Sequence, residues 1–202
     1  MGNAVTGVLT VSITEAGARL ARRLPHEHVH GDLAATVRSR WSDVDGFVLV
    51  CATGIAVRII GPLLSDKASD PAVVCVDEAG RFAVPVLGGH AAAANALARE
   101  VAAQLGAEAV VTTATDAADV PALDQLPGFR ARGDIAGVAR RWLDGDKPTI
   151  ESTLEWRLPF TGGTGSARVV VTDQIMDTDD GTVVLTPPSL VVGVGASTDA
   201  PD

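Results

Sequence analysis

The sequence predicts an α/β fold: a Rossmann-like, mainly parallel sheet with one antiparallel strand, followed by a small β-rich module. Three observations predict it. Strand-like and helix-like patterns alternate through the first two thirds of the chain. Gly46-Phe47-Val48-Leu49-Val50-Cys51 is a near-continuous apolar run, the pattern of a strand buried on both faces. Asp77-Glu78-Ala79-Gly80 is a turn-forming stretch between two β-type runs, which puts a hairpin into the sheet.

The elements follow in order. Val5 to Ile13 is β-branched and apolar. Glu15 to Leu24 has helical spacing behind Thr14 as N-cap, and Asp32 to Trp41 is a second short helix. After the strand at 46–51, Gly54 to Leu64 reads as a helix capped by Thr53. Ala72 to Val76 and Phe82 to Leu87 are the hairpin strands. Ala91 to Leu105 is Ala-rich and helical, with Gly106 just past its end. Ala109 to Thr113 is another strand. If 82–87 runs parallel to 109–113 through the helix between them, the hairpin makes 72–76 antiparallel to both. The expected sheet therefore has 47–51, 82–87 and 109–113 parallel, with 72–76 antiparallel beside 82–87 and the loop 65–71 turning the chain back. Beyond about Gly128, Asp134 to Leu143 forms a short helix, and Arg168 to Asp173 and Thr182 to Leu185 are β-type runs. The expected division is an α/β domain over 1–128, a β-rich module over 129–188, and a new buried-strand pattern over 189–202 that reads as the opening of a further domain.

Composition narrows the function classes. The chain has 202 residues with 47% hydrophobic and 20% charged residues, enough to bury a large core without disulfides or metal. Aromatic residues make up 3% and Tyr is absent, which argues against base-stacking platforms. A net charge of −9 disfavours nucleic acid as a partner, because phosphate binding needs a basic surface. No apolar run reaches the ~20 residues of a membrane helix, and no secretory signal opens the chain. Cys51 and Cys75 sit in apolar runs, as buried free thiols of a reducing cytoplasm do. An anionic ligand must be held by a few local cations or helix N-termini.

Ligands of open α/β sheets bind beyond the carboxyl ends of parallel strands. On the expected layout three loops meet there. Thr53 and Gly54 open a helix and suit a carboxylate or oxyanion, or act only as a cap. Gly88 and Gly89 permit close backbone approach, or simply make the tight turn. Thr112, Thr113 and Thr115 supply hydroxyls beside Asp116, which either orients His90 or caps a turn. His90 stands at a helix start, where neutral imidazole is favoured and can accept a proton; the alternative is a structural or exposed histidine. Arg58 and Lys67 are candidates for binding substrate carboxylates, although Lys67 also suits a solvated loop. Asp77 and Glu78 fall on the opposite sheet edge and read as turn formers. His26, His28 and His30 alternate, as metal ligands on one strand face do, but Pro25 and Gly31 favour a polar loop. Gly162-Gly163-Thr164-Gly165-Ser166 lacks the Lys and helix of a P-loop and reads as a hairpin tip.

Several strings in fixed order carry a resemblance: CATGIAVRIIGPLLSDKASDPAVVCVDEAGRFAVPVLGGH, then NALAREVAAQLGA, then VVTTATDAADVPALD. Residues 46–126 resemble the N-terminal domain of the CbiG family, cobalt-precorrin-5A hydrolases of anaerobic cobalamin biosynthesis. Residues 129–188 resemble its middle segment, and PPSLVVGVGAST resembles the start of its C-terminal domain. Two departures stand out: Gly88-Gly89-His90 where the family usually has Ser-Gly-His, and Ala92-Ala93 where it usually has a Gly pair.

The resemblance implies hydrolysis of the δ-lactone of cobalt-precorrin-5A with release of acetaldehyde. The cobalt arrives on the substrate, so no protein cofactor or metal site is implied. The residue roles follow from position in the expected layout: His90 would be the general base and Asp116 its orienting partner. Thr53, Gly54, Gly88, Gly89, Asn95, Thr112, Thr113 and Thr115 would bind substrate, with Arg58 and Lys67 on its peripheral carboxylates. Corrin-ring methyltransferases are the implied protein partners. Two other classes compete: a non-catalytic tetrapyrrole-binding module that needs a further domain or partner, and a phosphate or nucleotide binder on a Rossmann-like sheet.

Overall fold

A computed structural model describes residues 7–66, 69–89, 92–153 and 155–188. They divide into two compact units between Pro127 and Gly128. The first contains a six-stranded sheet. Its strands are β1 (Val8–Ser12), β2 (Glu27–His30), β3 (Gly46–Val50), β4 (Ala72–Val76), β5 (Phe82–Leu87) and β6 (Glu108–Ala109), in the order β2-β1-β3-β4-β5-β6. Helices α1 (Glu15–Ala21), α2 (Leu33–Arg40), α3 (Thr53–Ile60), α4 (Ala94–Leu105) and α5 (Ala114–Ala117) connect them.

β1, β3 and β4 are buried at every position, because helices cover both faces. Alternation along each strand divides the core in two. Val48, Val74 and Val76 pack with Leu97, Val101 and Leu105 of α4. Phe47, Leu49, Val73 and Cys75 pack with Leu33 and Val37 of α2 and with Ala56, Ile59 and Ile60 of α3. Thr14 and Asp32 cap α1 and α2 by accepting from Gly17 and Ala35 N–H. Gly106, at φ +70°, ends α4 in the left-handed conformation that glycine adopts at least cost.

Strand direction differs from the expectation in one decisive way. β4 is parallel to β3, with Gly46 opposite Ala72 and Val50 opposite Val76. β5 is antiparallel to β4, and β6 is parallel to β5. The sheet thus contains one antiparallel pair, but β5 and β6 are the reversed strands and β4 is not. α3 carries the chain back along the sheet before β4 begins, as a β-α-β crossover does, so the loop 65–71 does not reverse it.

Smaller corrections follow. The α3 N-cap is Ala52, with no side-chain cap bond, so Thr53 is the first helical residue. The strand expected over 109–113 is only Glu108–Ala109. Pro85 explains much of the shortening. It has no N–H to offer, and beside it the β4–β5 register shifts between Val73 and Val74, leaving Leu87 opposite Val73 and Pro85 opposite Val74. β5 and the chain after β6 therefore separate. Residues 27–30 form an edge strand parallel to β1, not a polar loop.

The second unit has β7 (Arg130–Gly133), α6 (Ile135–Leu143), β8 (Thr149–Ser152), β9 (Arg168–Val171) and β10 (Thr182–Thr186). Its sheet runs β7-β10-β9-β8, with only the β7–β10 pair antiparallel. Because β8 and β9 are parallel, Gly162–Ser166 is not a hairpin tip. It folds back on the end of α6, where Asp146 accepts from Ser166 N–H at 2.9 Å and Ser166 Oγ at 2.6 Å. The pattern at 189–202 lies outside the described residues. Among the described residues no helix is long and apolar enough to cross a membrane.

Candidate functional site

The reversal at β5 splits the expected site between opposite edges. The carboxyl ends of β1, β3 and β4 bring together Thr14, Cys51, Ala52, Asp77 and Glu78, which with Ile13 and Ile55 line a hollow of about 410 Å³. Thr14 Oγ1 donates to Glu78 Oε1 at 2.7 Å. Thr53 and Gly54 therefore start α3 at this edge, beside Asp77 and Glu78, where a second carboxylate would meet like charge. Arg58 is exposed in the last turn of α3. Thr53 and Gly54 do not join the glycine loop, and Arg58 lines neither hollow.

The carboxyl ends of β5 and β6 face the other way. Here a cavity of about 540 Å³ is lined by Leu64, Ser65, Asp70, Pro85, Val86, Leu87, Gly88, Gly89, Asn95, Thr112 and Thr113. The separation of β5 from the chain after β6 opens its mouth. Asp70 is buried and accepts from Ser65 N–H at 3.2 and 3.1 Å, holding the loop wall in place. Gly88 has φ +76°, and a Cβ there would stand 2.7 Å from Ala92 Cβ and 3.3 Å from Ala72 Cα. With alanine at 92 in this chain, glycine is favoured at 88 on both conformational and steric grounds.

One hydrogen-bond network joins α4 to the segment after β6. Asn95 Nδ2 donates to Thr113 Oγ1 and to Asp116 Oδ2, each at 3.0 Å. Thr113 Oγ1 donates to Asp116 Oδ2 at 2.5 Å, and Arg99 forms an ion pair with Asp116 Oδ1. Asn95 Oδ1 is buried and has no partner among the described residues. An unpaired buried acceptor costs about 1–3 kcal/mol, so it is not a neutral feature of the fold.

Five of the expected site residues, Gly88, Gly89, Asn95, Thr112 and Thr113, line this cavity, and Asp116 is bonded to two of them. Thr115 lies on α5 in the same segment. His90 and Lys67 lie outside the described residues. Sequence reasoning missed Arg99, although its spacing of four from Asn95 sets both on one helix face. It also missed Ser65 and Asp70, for which no local pattern gives a signal.

The alternating histidines do share one strand face, directed at β1. Ser12 Oγ lies 2.9 Å from His28 Nε2 and 3.1 Å from His30 Nδ1, and Thr10 Oγ1 lies 3.3 Å from His26 Nδ1. A serine donates one proton, so at least one of its two imidazole neighbours donates to it. Burial lowers the pKa of His28, and the charges of Arg22 and His30 lower it further. Among the described residues no group of three or more His, Cys, Asp or Glu side chains is arranged to hold a metal. Cys51 and Cys75 are free and buried. Hydrogen bonding to Cys75, then burial, pushes the Cys51 thiol up, so it stays protonated.

Comparison with known proteins bears on the first unit. Residues 35–116 match the family model described as Cobalamin synthesis G N-terminal. The chain is 49% identical over 96 residues to a cobalt-precorrin-5A hydrolase of Salmonella typhimurium, covering 48% of this chain and 27% of that protein. It is 43% identical over 86 residues to the Priestia megaterium enzyme of the same name, covering 43% and 23%. The chain thus matches about a quarter of the length of these relatives. The crystal structure of a cobalamin biosynthesis protein G homolog from Sulfolobus solfataricus superposes with a TM-score of 0.51 at 23% identity, over 90% of this chain and 60% of that one, a likeness of fold. The glycine loop, Asn95, Arg99, Thr113 and Asp116 all fall inside the segment that matches this family's N-terminal model.

Proposed function

We propose that the cavity beyond β5 binds cobalt-precorrin-5A and that this chain takes part in opening its δ-lactone, with release of acetaldehyde. One observation carries the reading: every residue that lines the cavity, from Leu64 to Thr113, falls inside the segment matched to the cobalamin synthesis family. A cavity of about 540 Å³ takes the lactone-bearing side of a large macrocycle and leaves the rest of the ring outside. Cobalt enters as part of the substrate.

His90, next in the chain to Gly89, is the proposed general base that deprotonates water. The Thr112–Thr115 segment and the Gly88–Gly89 turn offer donors to charge developing on the lactone oxygen. Asp116 holds Asn95 and Thr113 in place, with Arg99 balancing its charge near a polycarboxylate ligand. Lys67 is proposed for peripheral carboxylates. Thr53 and Gly54 have no part, because they open α3 at the other edge. The reaction is placed in a reducing cytoplasm, in keeping with two free thiols, and the corrin-ring methyltransferases are the proposed protein partners.

The test is to incubate the chain with cobalt-precorrin-5A and measure acetaldehyde. Release that His90→Ala abolishes supports the assignment; release unchanged by it removes His90. The match to only about a quarter of the relatives' length favours a second reading, a tetrapyrrole-binding module without activity of its own. Binding without release, with activity restored by adding the remaining region of the Salmonella relative, would select it.

A further inference from the structure

The network on α4 is closed on the protein side except at one atom. Asn95 is 3% exposed, and its Oδ1 has no hydrogen-bond partner among the described residues. The amide cannot turn round, because Nδ2 gives its two protons to Thr113 Oγ1 and Asp116 Oδ2. A flip would set Oδ1 against the Asp116 carboxylate. Thr113 spends its own proton on Asp116, and Arg99 occupies the other carboxylate oxygen. Oδ1 is directed at Gly89, where a Cβ would come within 3.2 Å of it and within 3.0 Å of Thr113 Cγ2. A side chain at 89 would press on both, so glycine there keeps the loop from crowding the acceptor.

Asn95 lines the cavity, and a buried acceptor on it without a partner selects a donor. The ionised carboxylates of the substrate donate nothing, and neither do the carbonyl and ring oxygens of a lactone. The reactant that brings a proton is water. We propose that Asn95 Oδ1 holds the hydrolytic water, as a positioning residue for the reaction proposed above, on which this inference rests. The water gives one O–H to Oδ1, which fixes the direction of its lone pair. A general base takes the other proton as the water oxygen bonds to the lactone carbonyl carbon. The ring C–O bond then breaks, and the base returns its proton to the departing oxygen. The products are a carboxylic acid, which ionises, and a hydroxyl group on the two-carbon fragment. That hydroxyl loses its proton as its C–O bond becomes a carbonyl, the C–C bond to the macrocycle breaks, and the macrocycle carbon takes up a proton, so the fragment leaves as acetaldehyde.

The experiment compares the wild type with Asn95→Leu, which keeps side-chain volume and loses the acceptor. Each is assayed for acetaldehyde release from cobalt-precorrin-5A, alone and with the remaining region of the Salmonella relative added. A crystal structure of the wild type looks for an ordered water within hydrogen-bond distance of Oδ1, a measurement that stands even if the variant does not fold. The expected result is that water, together with a kcat at least about tenfold lower in the variant and KM within about twofold. Absence of the water overturns the inference. So does a folded variant with unchanged kcat, or one that changes KM alone. If wild type releases no acetaldehyde in either arm, the proposed reaction itself fails; with an active wild type, the other negative outcomes remove only the role of Asn95.

Discussion

Asp77 Oδ1 accepts a hydrogen bond from the backbone N–H of Phe82 at 2.7 Å. The same carboxylate accepts from Arg81 N–H at 2.8 Å and from Ala79 N–H at 3.2 Å. It closes the hairpin that reverses β5, and that reversal sends Gly88 and Gly89 to the edge where Asn95 and Thr113 wait.

Replacing Asp77 with Ala leaves three turn N–H groups without this partner and is expected to cost about 1–3 kcal/mol. Burial raises the Asp77 pKa, but the three backbone bonds outweigh it and hold the carboxyl below its ordinary value. Its stabilisation is therefore complete above the unfolded pKa and is lost as pH falls through the folded one. Urea unfolding at neutral pH gives the cost. The variant's stability should also fall less steeply than the wild type's between about pH 5 and pH 3.

Ala93 occupies the left-handed region at φ +59°, at the entry to α4. An alanine there bears Cβ strain that glycine does not, so Ala93→Gly is expected to stabilise the chain by about 0.5–1.5 kcal/mol. Gly88→Ala should do the opposite and lower stability by at least about 1 kcal/mol, since it adds both strain and a contact with Ala92. Thermal unfolding of the two variants checks the pair of opposite signs.

Asp116→Ala removes the acceptor shared by Asn95, Thr113 and the Arg99 ion pair. The expected cost is about 1–3 kcal/mol in denaturant unfolding. Arg99→Ala should cost less, under about 1 kcal/mol, because that side chain is half exposed and solvent screens the pair.

The β1–β2 edge should respond to pH in the same direction as Asp77, but at higher pH. Burial, then Arg22 and His30, depresses the His28 pKa in the folded chain. At pH above the ordinary value of 6.5 the imidazole is neutral in both states and stability is complete. As pH falls below it, the unfolded chain binds the proton first, so stability declines. Denaturant midpoints at pH 7.5 and 5.5 measure the decline, and His28→Asn should reduce the difference.

Much of the fold was legible because it is written in local periodicity. Thr14, Asp32, Gly106 and Asp134 mark helix ends by cap chemistry that acts within one turn. The buried strands show as unbroken apolar runs. The site was legible only in part. Gly88, Gly89, Asn95 and Thr113 lie in sequence-marked loops and helix starts, whereas Asp70 and Ser65 meet at the cavity through a contact that no pattern announces.

The sequence by itself determined most of the strands and helices of the first unit, the apolar runs that are buried, and that one hairpin interrupts a parallel sheet. It did not determine which strands run in which direction. A hairpin fixes only that β4 and β5 oppose each other. Their sense relative to β3 depends on the crossover through α3, which makes β4 parallel to β3 and reverses β5 and β6. Only the tertiary structure decided, therefore, that Thr53 and Gly54 stand at one edge while Gly88, Gly89, Asn95 and Thr113 stand at the other. Direction along a sheet is a property of how strands pair, not of any one of them.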